Sequence, residues 1–90
     1  MKLVKSINYL NKILDRYRSD GSKIHLTPTM GALHAGHLKL VKRSKKLKSI
    51  VVVSIFVNPT QFGPKEDYKD YPRTLKNDLI VLKKYGADIV

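Results

Sequence analysis

An eight-residue run near the middle of the chain, Ile50-Val51-Val52-Val53-Ser54-Ile55-Phe56-Val57, is almost entirely apolar and mostly β-branched, and it stops at Asn58-Pro59. β-Branched side chains favour extended backbone. The run does not alternate apolar with polar residues, so both faces of the strand it forms must be covered. That pattern belongs to a parallel sheet sandwiched between helix layers. A bilayer-spanning helix needs about 20 apolar residues, so the run is far too short for that role.

The flanking sequence supplies the helices. Leu3-Val4 predicts a short first strand, and Ser6 is placed to cap a helix carrying Ile7, Leu10, Ile13, Leu14 and Tyr17 on one face. Asp20-Gly21-Ser22 ends that helix. A strand over 23–27 follows, with a turn expected at Pro28 because proline cannot donate to a central ladder. A second helix is expected from near His37, with Leu38, Leu40, Val41 and Leu47 inward. Lys39, Lys42, Arg43, Lys45, Lys46 and Lys48 lie outward as a solvated face. Residues 58–73 read as a long polar loop, of a length that is usually either functional or disordered. Thr74 opens a third helix with Leu75, Leu79 and Leu82 on one face, Gly86 closes it, and residues 87–90 begin another strand. The order β-α-β-α-β-α-β predicts an α/β fold with a parallel sheet and flanking helices. Ligands of such sheets bind beyond the carboxyl ends of the strands. Both the 28–37 and the 58–73 segments leave from that rim.

Charge narrows the partners. Eighteen Lys and Arg against seven Asp and Glu give a formal net charge of +11, which favours anions: nucleotides or nucleic acid. Tyr9, Tyr17, Phe56, Phe62, Tyr68, Tyr71 and Tyr85 are scattered, without the paired aromatics of a base-stacking sheet. Nucleic acid is therefore not expected as a partner. With no cysteine there is no disulfide framework and no thiol chemistry. The N-terminus lacks the apolar core of a signal peptide. A cytoplasmic protein that does not bind membranes is the expectation.

The chemistry is concentrated in Pro28-Thr29-Met30-Gly31-Ala32-Leu33-His34-Ala35-Gly36-His37. Strand, glycine-bearing loop and helix start together suit phosphate, because amides at a helix start lack intrahelical acceptors and the helix dipole is positive there. His34 and His37, three apart, can face the same way. Read from the residues alone they are incidental surface histidines, metal ligands or phosphate donors; the glycine-flanked helix start favours phosphate, and metal is disfavoured because no cysteine or acidic third ligand stands near them in sequence. No metal site is expected. His25, inside a strand, reads as structural.

Pro28-Thr29-Met30-Gly31, His34-Ala35-Gly36-His37, Val53 through Gly63 with its Asn58-Pro59-Thr60-Gln61-Phe62 core, Glu66-Asp67-Tyr68 and Tyr71-Pro72-Arg73 occur in this order. Together they resemble the N-terminal part of the pantothenate synthetase (pantoate–β-alanine ligase) family. Ala35 departs from the acidic residue usual there. The resemblance implies a Rossmann-like nucleotide-binding domain of the adenylyltransferase type, of which residues 1–90 are a part. The remainder of the catalytic domain and a C-terminal domain would lie beyond. It implies ATP-dependent condensation of pantoate with β-alanine through a pantoyl adenylate, with Mg²⁺ accompanying ATP. Residues Met30, Gly31, Ala32, Leu33, His34, Ala35, Gly36 and His37 would bind ATP, with His37 and His34 catalytic. Gln61, Phe62, Asn58 and Tyr71 would hold pantoate and β-alanine. A homodimer is implied too. The family's later phosphate-binding lysine, second pantoate glutamine and Ser-x-Arg segment lie beyond residue 90, so the segment alone is expected to be inactive. Another His-x-Gly-His adenylyltransferase is the alternative, disfavoured by Asn58 to Phe62; a basic nucleic-acid-binding module rests on charge alone.

Overall fold

The structure is a computed structural model that describes residues 1–58 and 74–90. In chain order the elements are α1 (Ile7–Ser19), β1 (Ile24–Thr29), α2 (Ala35–Lys46), β2 (Ile50–Ile55) and α3 (Leu75–Tyr85). β1 and β2 pair in parallel, Ile24 opposite Ile50 and Thr29 opposite Ile55. Ile89 bridges Val52 on one side and Lys2 on the other, again in parallel. The lateral order is thus β1, β2, the segment around Ile89, then the segment around Lys2. The expected first and last strands are present only as single bridges. They are held by Val53 N–H to Ile89 O (2.9 Å), Lys2 N–H to Asp88 O (2.9 Å) and Val4 N–H to Val90 O (2.7 Å).

The apolar run of β2 is covered on both faces. Val51 and Val53 pack with Val41 of α2, Leu82 of α3 and Ala87. Val52 points the other way and packs with Ile13 of α1 and Ile89, flanked by Leu10, Leu14 and Tyr17. Two small cores, one on each side of the sheet, therefore share one strand. Helix α1 lies on one face; α2 and α3 lie on the other. Ser6 caps α1 as expected, its Oγ accepting from Tyr9 N–H at 3.3 Å.

Three expectations change. β1 does not turn at Pro28 but runs on to Thr29, with Pro28 opposite Ser54. Lys23 O and Thr29 O accept from Ile50 and Phe56 N–H. In a parallel ladder alternate residues face the same neighbour, so odd-numbered positions bond to β2 and the nitrogen of Pro28 faces away from it. β1 is an edge among the described residues, and there a missing N–H costs nothing. Second, α2 begins at Ala35 rather than near His37. Third, its inward face is Leu38, Val41 and Ser44, while Leu40 and Leu47 are exposed.

Candidate active site

β1 and β2 end side by side, so the chain leaving β1 starts on the carboxyl rim of the sheet. Thr29 holds that exit. Its hydroxyl donates to Ser54 O at 2.9 Å and accepts from Gly31 N–H at 3.1 Å. The backbone then enters the left-handed region twice in succession, at Gly31 (φ 81°) and Ala32 (φ 47°). Position 31 needs glycine on two counts. Left-handed backbone is strained for other residues. A Cβ there would also lie 3.2 Å from Asp78 Oδ2 and 3.3 Å from Ile55 Cγ2.

Asp78 reaches this turn from α3. It is 5% exposed. Its carboxylate accepts from Ala32 N–H (3.0 Å), Leu33 N–H (3.1 Å) and the Thr74 hydroxyl (3.1 Å).

His34 is the N-cap of α2, with extended backbone. Its Nδ1 accepts from Gly36 N–H at 3.0 Å, while His37 Nδ1 accepts from His34 N–H at 3.2 Å. Two imidazoles thus form the reciprocal capping box more often built from Ser or Thr with Glu. An Nδ1 that accepts carries no proton, so the neutral ring bears its proton on Nε2, an assignment that follows from the hydrogen bonds. The rings lie with centroids 4.0 Å apart, tilted by 31°. Burial holds the His37 pKa below its usual 6.5, and the neighbouring His34 pushes the same way, against the weaker upward pull of Asp78. Near neutral pH His37 is therefore an uncharged Nε2–H donor. Gly36 makes the arrangement sterically feasible: a Cβ there would sit 2.9 Å from His34 Cε1.

A cavity of about 560 Å³ opens above the rim, lined by Met30, Gly31, Ala32, His34, His37 and Asn58 among others. Leu33 packs toward the core instead. Ala35 and Gly36 form the first turn of α2 and do not line the cavity. Gln61, Phe62 and Tyr71 lie outside the described residues. The expectation of bare amides is corrected. The N–H groups of Gly31, Ala32, Leu33, His34 and Gly36 already have protein acceptors. At these five positions the turn folds around its own side chains and Asp78, and the imidazoles of His34 and His37 stand beside the cavity as donors.

The sequence reading missed Thr29, Ser54 and Phe56 in the lining and Asp78 beneath it. Asp78 left a trace: it falls four before Leu82, a carboxylate on the side of the helix that the buried leucine occupies. Such a residue needs an internal partner. Among the described residues no three His, Cys, Asp or Glu gather as a metal site. No described helix is long and apolar enough to cross a membrane.

The sequence profile described as Pantoate-beta-alanine ligase matches residues 2–90. The chain belongs to the pantoate–β-alanine ligase family. Pantothenate synthetases from Phocaeicola vulgatus and Bacillus velezensis are 57% and 51% identical to it over 90 residues. These matches cover 100% of this chain and 32% of each relative. The chain thus spans about a third of the length of these curated ligases. A crystal structure of pantothenate synthetase from Thermus thermophilus superposes with a TM-score of 0.87 at 44% identity, covering 99% of this chain and 30% of that one. The ligase from Francisella tularensis, complexed with beta-gamma ATP and beta-alanine, gives 0.85 at 41% identity, covering 99% and 34%. The ligase family's Rossmann-like α/β fold is therefore the fold of this segment.

Proposed function

We propose that this segment supplies one side of the ATP site of a pantoate–β-alanine ligase. The observation that carries the reading is the reciprocal histidine cap. Each ring is held through Nδ1, which leaves Nε2–H of His34 and His37 as paired donors beside the rim cavity. Oriented donors beside a helix start suit a triphosphate. The Francisella relative's complex with beta-gamma ATP and beta-alanine supports the same ligand class.

In the reaction, a pantoate carboxylate oxygen attacks the α-phosphorus of ATP. The bond to the bridging oxygen breaks, and pantoyl adenylate and pyrophosphate form. The β-alanine amine then attacks the acyl carbon, AMP leaves, and the amine loses a proton to give pantothenate. This chemistry asks the protein for position and charge stabilisation rather than a nucleophile. His37, with His34, hydrogen-bonds the phosphate oxygens on which charge grows as pyrophosphate departs. Met30, Gly31 and Ala32 shape the wall, and Asn58, Gln61, Phe62 and Tyr71 hold pantoate and β-alanine. Mg²⁺ travels on the ATP phosphates. The described residues offer it no ligand cluster, so no step is assigned to it. A cytoplasmic homodimer, with residues 1–90 as part of the nucleotide-binding domain, completes the proposal.

The test is pantoate-dependent exchange of pyrophosphate into ATP by a ligase of the relatives' length carrying these residues. Exchange that needs pantoate and is lost on replacing His34 and His37 together supports the reading. Exchange indifferent to both histidines rejects it.

A further inference from the structure

Successive N–H groups in a tight left-handed turn form a concavity that binds anions. The turn at Gly31 and Ala32 is of this kind, and its occupant is a protein carboxylate. Asp78 enters from the core side and takes the amides of Ala32 and Leu33. Its fit is close, since a Cβ on Gly31 would meet Oδ2 at 3.2 Å. Burying a carboxylate to this degree is costly unless it is well supplied with donors. Two amides and the Thr74 hydroxyl provide them. Within α3 the carboxylate stands in the first turn, where it complements the helix dipole, and Thr74 makes no side-chain cap, its hydroxyl donating to Asp78 instead.

We infer that Asp78 is a positioning residue. By filling the anion-binding concavity of the turn from below, it fixes the backbone that presents His34 and His37, so that incoming phosphate meets imidazole Nε2–H rather than the amides of Ala32 and Leu33. Leu33 N–H, bonded to Asp78, is one residue from His34 N–H, which is bonded to His37 Nδ1. A shift of the turn therefore passes directly into the histidine cap. The Asp78 charge is also felt at His37, whose proton affinity it raises. This inference rests on the ATP reading above for its kinetic arm only.

The experiment compares wild type with Asp78→Asn in the full-length ligase. Asparagine keeps the size but sets an NH₂ donor against an amide N–H. The expected result is a loss of at least about tenfold in kcat/KM for ATP in pyrophosphate exchange, the scale of a sub-ångström misplacement, with KM for pantoate changing less than about twofold. Nitrogen NMR of the imidazoles should show His37 leaving its single Nε2–H tautomer for a mixture. Unchanged ATP kinetics with an unchanged tautomer would overturn the inference. So would equal losses for both substrates, with a lower melting point and the tautomer intact, because that is a structural role alone. If Asp78→Asn does not fold, Thr74→Val is read in its place. It removes one donor to Oδ2 and should cost ATP about twofold or more, and no effect on ATP overturns the proposal. Should wild type show no pantoate-dependent exchange, the parent reading fails while the tautomer comparison still decides the role of Asp78.

Discussion

At the scale of single residues, the two histidines owe their orientation to backbone rather than to each other's charge. Each ring spends Nδ1 on an amide of the first helical turn, so removing one ring also removes a cap. His37→Ala should lower the adenylation rate of the full-length ligase by roughly two orders of magnitude, the cost of one preorganised donor. An unchanged rate in exchange assays would exclude His37 from the chemistry. Gly36→Ala tests the geometry without touching either ring. Its Cβ would fall 2.9 Å from His34 Cε1, so the ring must swing away. ATP affinity should weaken while the melting point moves little; an intact affinity would mean that the ring position is not needed. Protonation acts on the same cap. The native His37 pKa lies below the unfolded value near 6.5, so between the two values the unfolded chain holds more protons. Stability carried by this group is complete above about pH 6.5 and is lost as pH falls through the lower native value. Urea midpoints should decline with acid more steeply in wild type than in His37→Asn, and equal slopes would refute the linkage.

At the scale of elements, each helix takes its orientation from what the sheet can cover. Leu82 of α3 is fully buried between Val41 and the β2 valines, whereas Leu40 of α2 is 55% exposed despite its hydrophobic character. Leu82→Ala should cost about 2–5 kcal/mol through lost burial and the cavity left behind. Leu40→Ala should stay within about 0.5 kcal/mol. Chemical denaturation of the two variants checks the pair; comparable losses would place α2 differently on the sheet. Ser44, on the buried side of α2, satisfies its hydroxyl on Leu40 O at 3.0 Å, which lets a polar residue sit there. The helical periodicity of both segments is legible in the sequence. The choice of buried stripe is not: Leu38, Leu40, Val41 and Leu47 cannot all lie on one face, and the sheet selects Leu38 and Val41.

At the scale of the whole molecule, charge and unfilled surface dominate. With a formal net charge of +11 on 90 residues, the folded chain works against its own repulsion at low salt. Raising ionic strength from about 0.01 M to about 0.15 M shortens the screening length from roughly 30 Å to roughly 8 Å. The isolated 90-residue chain should therefore melt at a higher temperature in the saltier buffer. A fall in melting temperature, followed by circular dichroism, would show that attractive ion pairs such as Lys45 with Asp88 outweigh the repulsion. An apolar groove of about 610 Å³, lined by Leu3, Ile7, Leu26, Phe56 and Leu75 among others, runs across the sheet face beside α1. All five of these side chains are exposed in this segment. The isolated chain should self-associate as concentration rises, and sedimentation showing a monomer throughout would contradict that.

Local patterns along the chain were enough to determine the helices, the doubly covered strand and the glycine-bearing turn ahead of α2, and the succession of elements was enough for the parallel order. They also bring out the His-x-Gly-His segment, because its chemistry is contiguous. Four matters were decided only by tertiary structure. Pro28 stays in β1 because its nitrogen faces away from β2, and edge position is a property of the sheet. α2 starts at Ala35, capped by His34, because imidazole nitrogens can serve as caps, which composition rules assign first to shorter polar side chains. The turn's amides are filled rather than bare because Asp78, more than forty residues away in sequence, folds beneath them. Leu40 and Leu47 are left outside because a helix packing on a narrow sheet can bury only one stripe. For Pro28, Asp78 and the two leucines the deciding partner is distant along the chain, and a local pattern carries no record of which distant group will arrive; the histidine cap is local, but its geometry shows only once the backbone is folded.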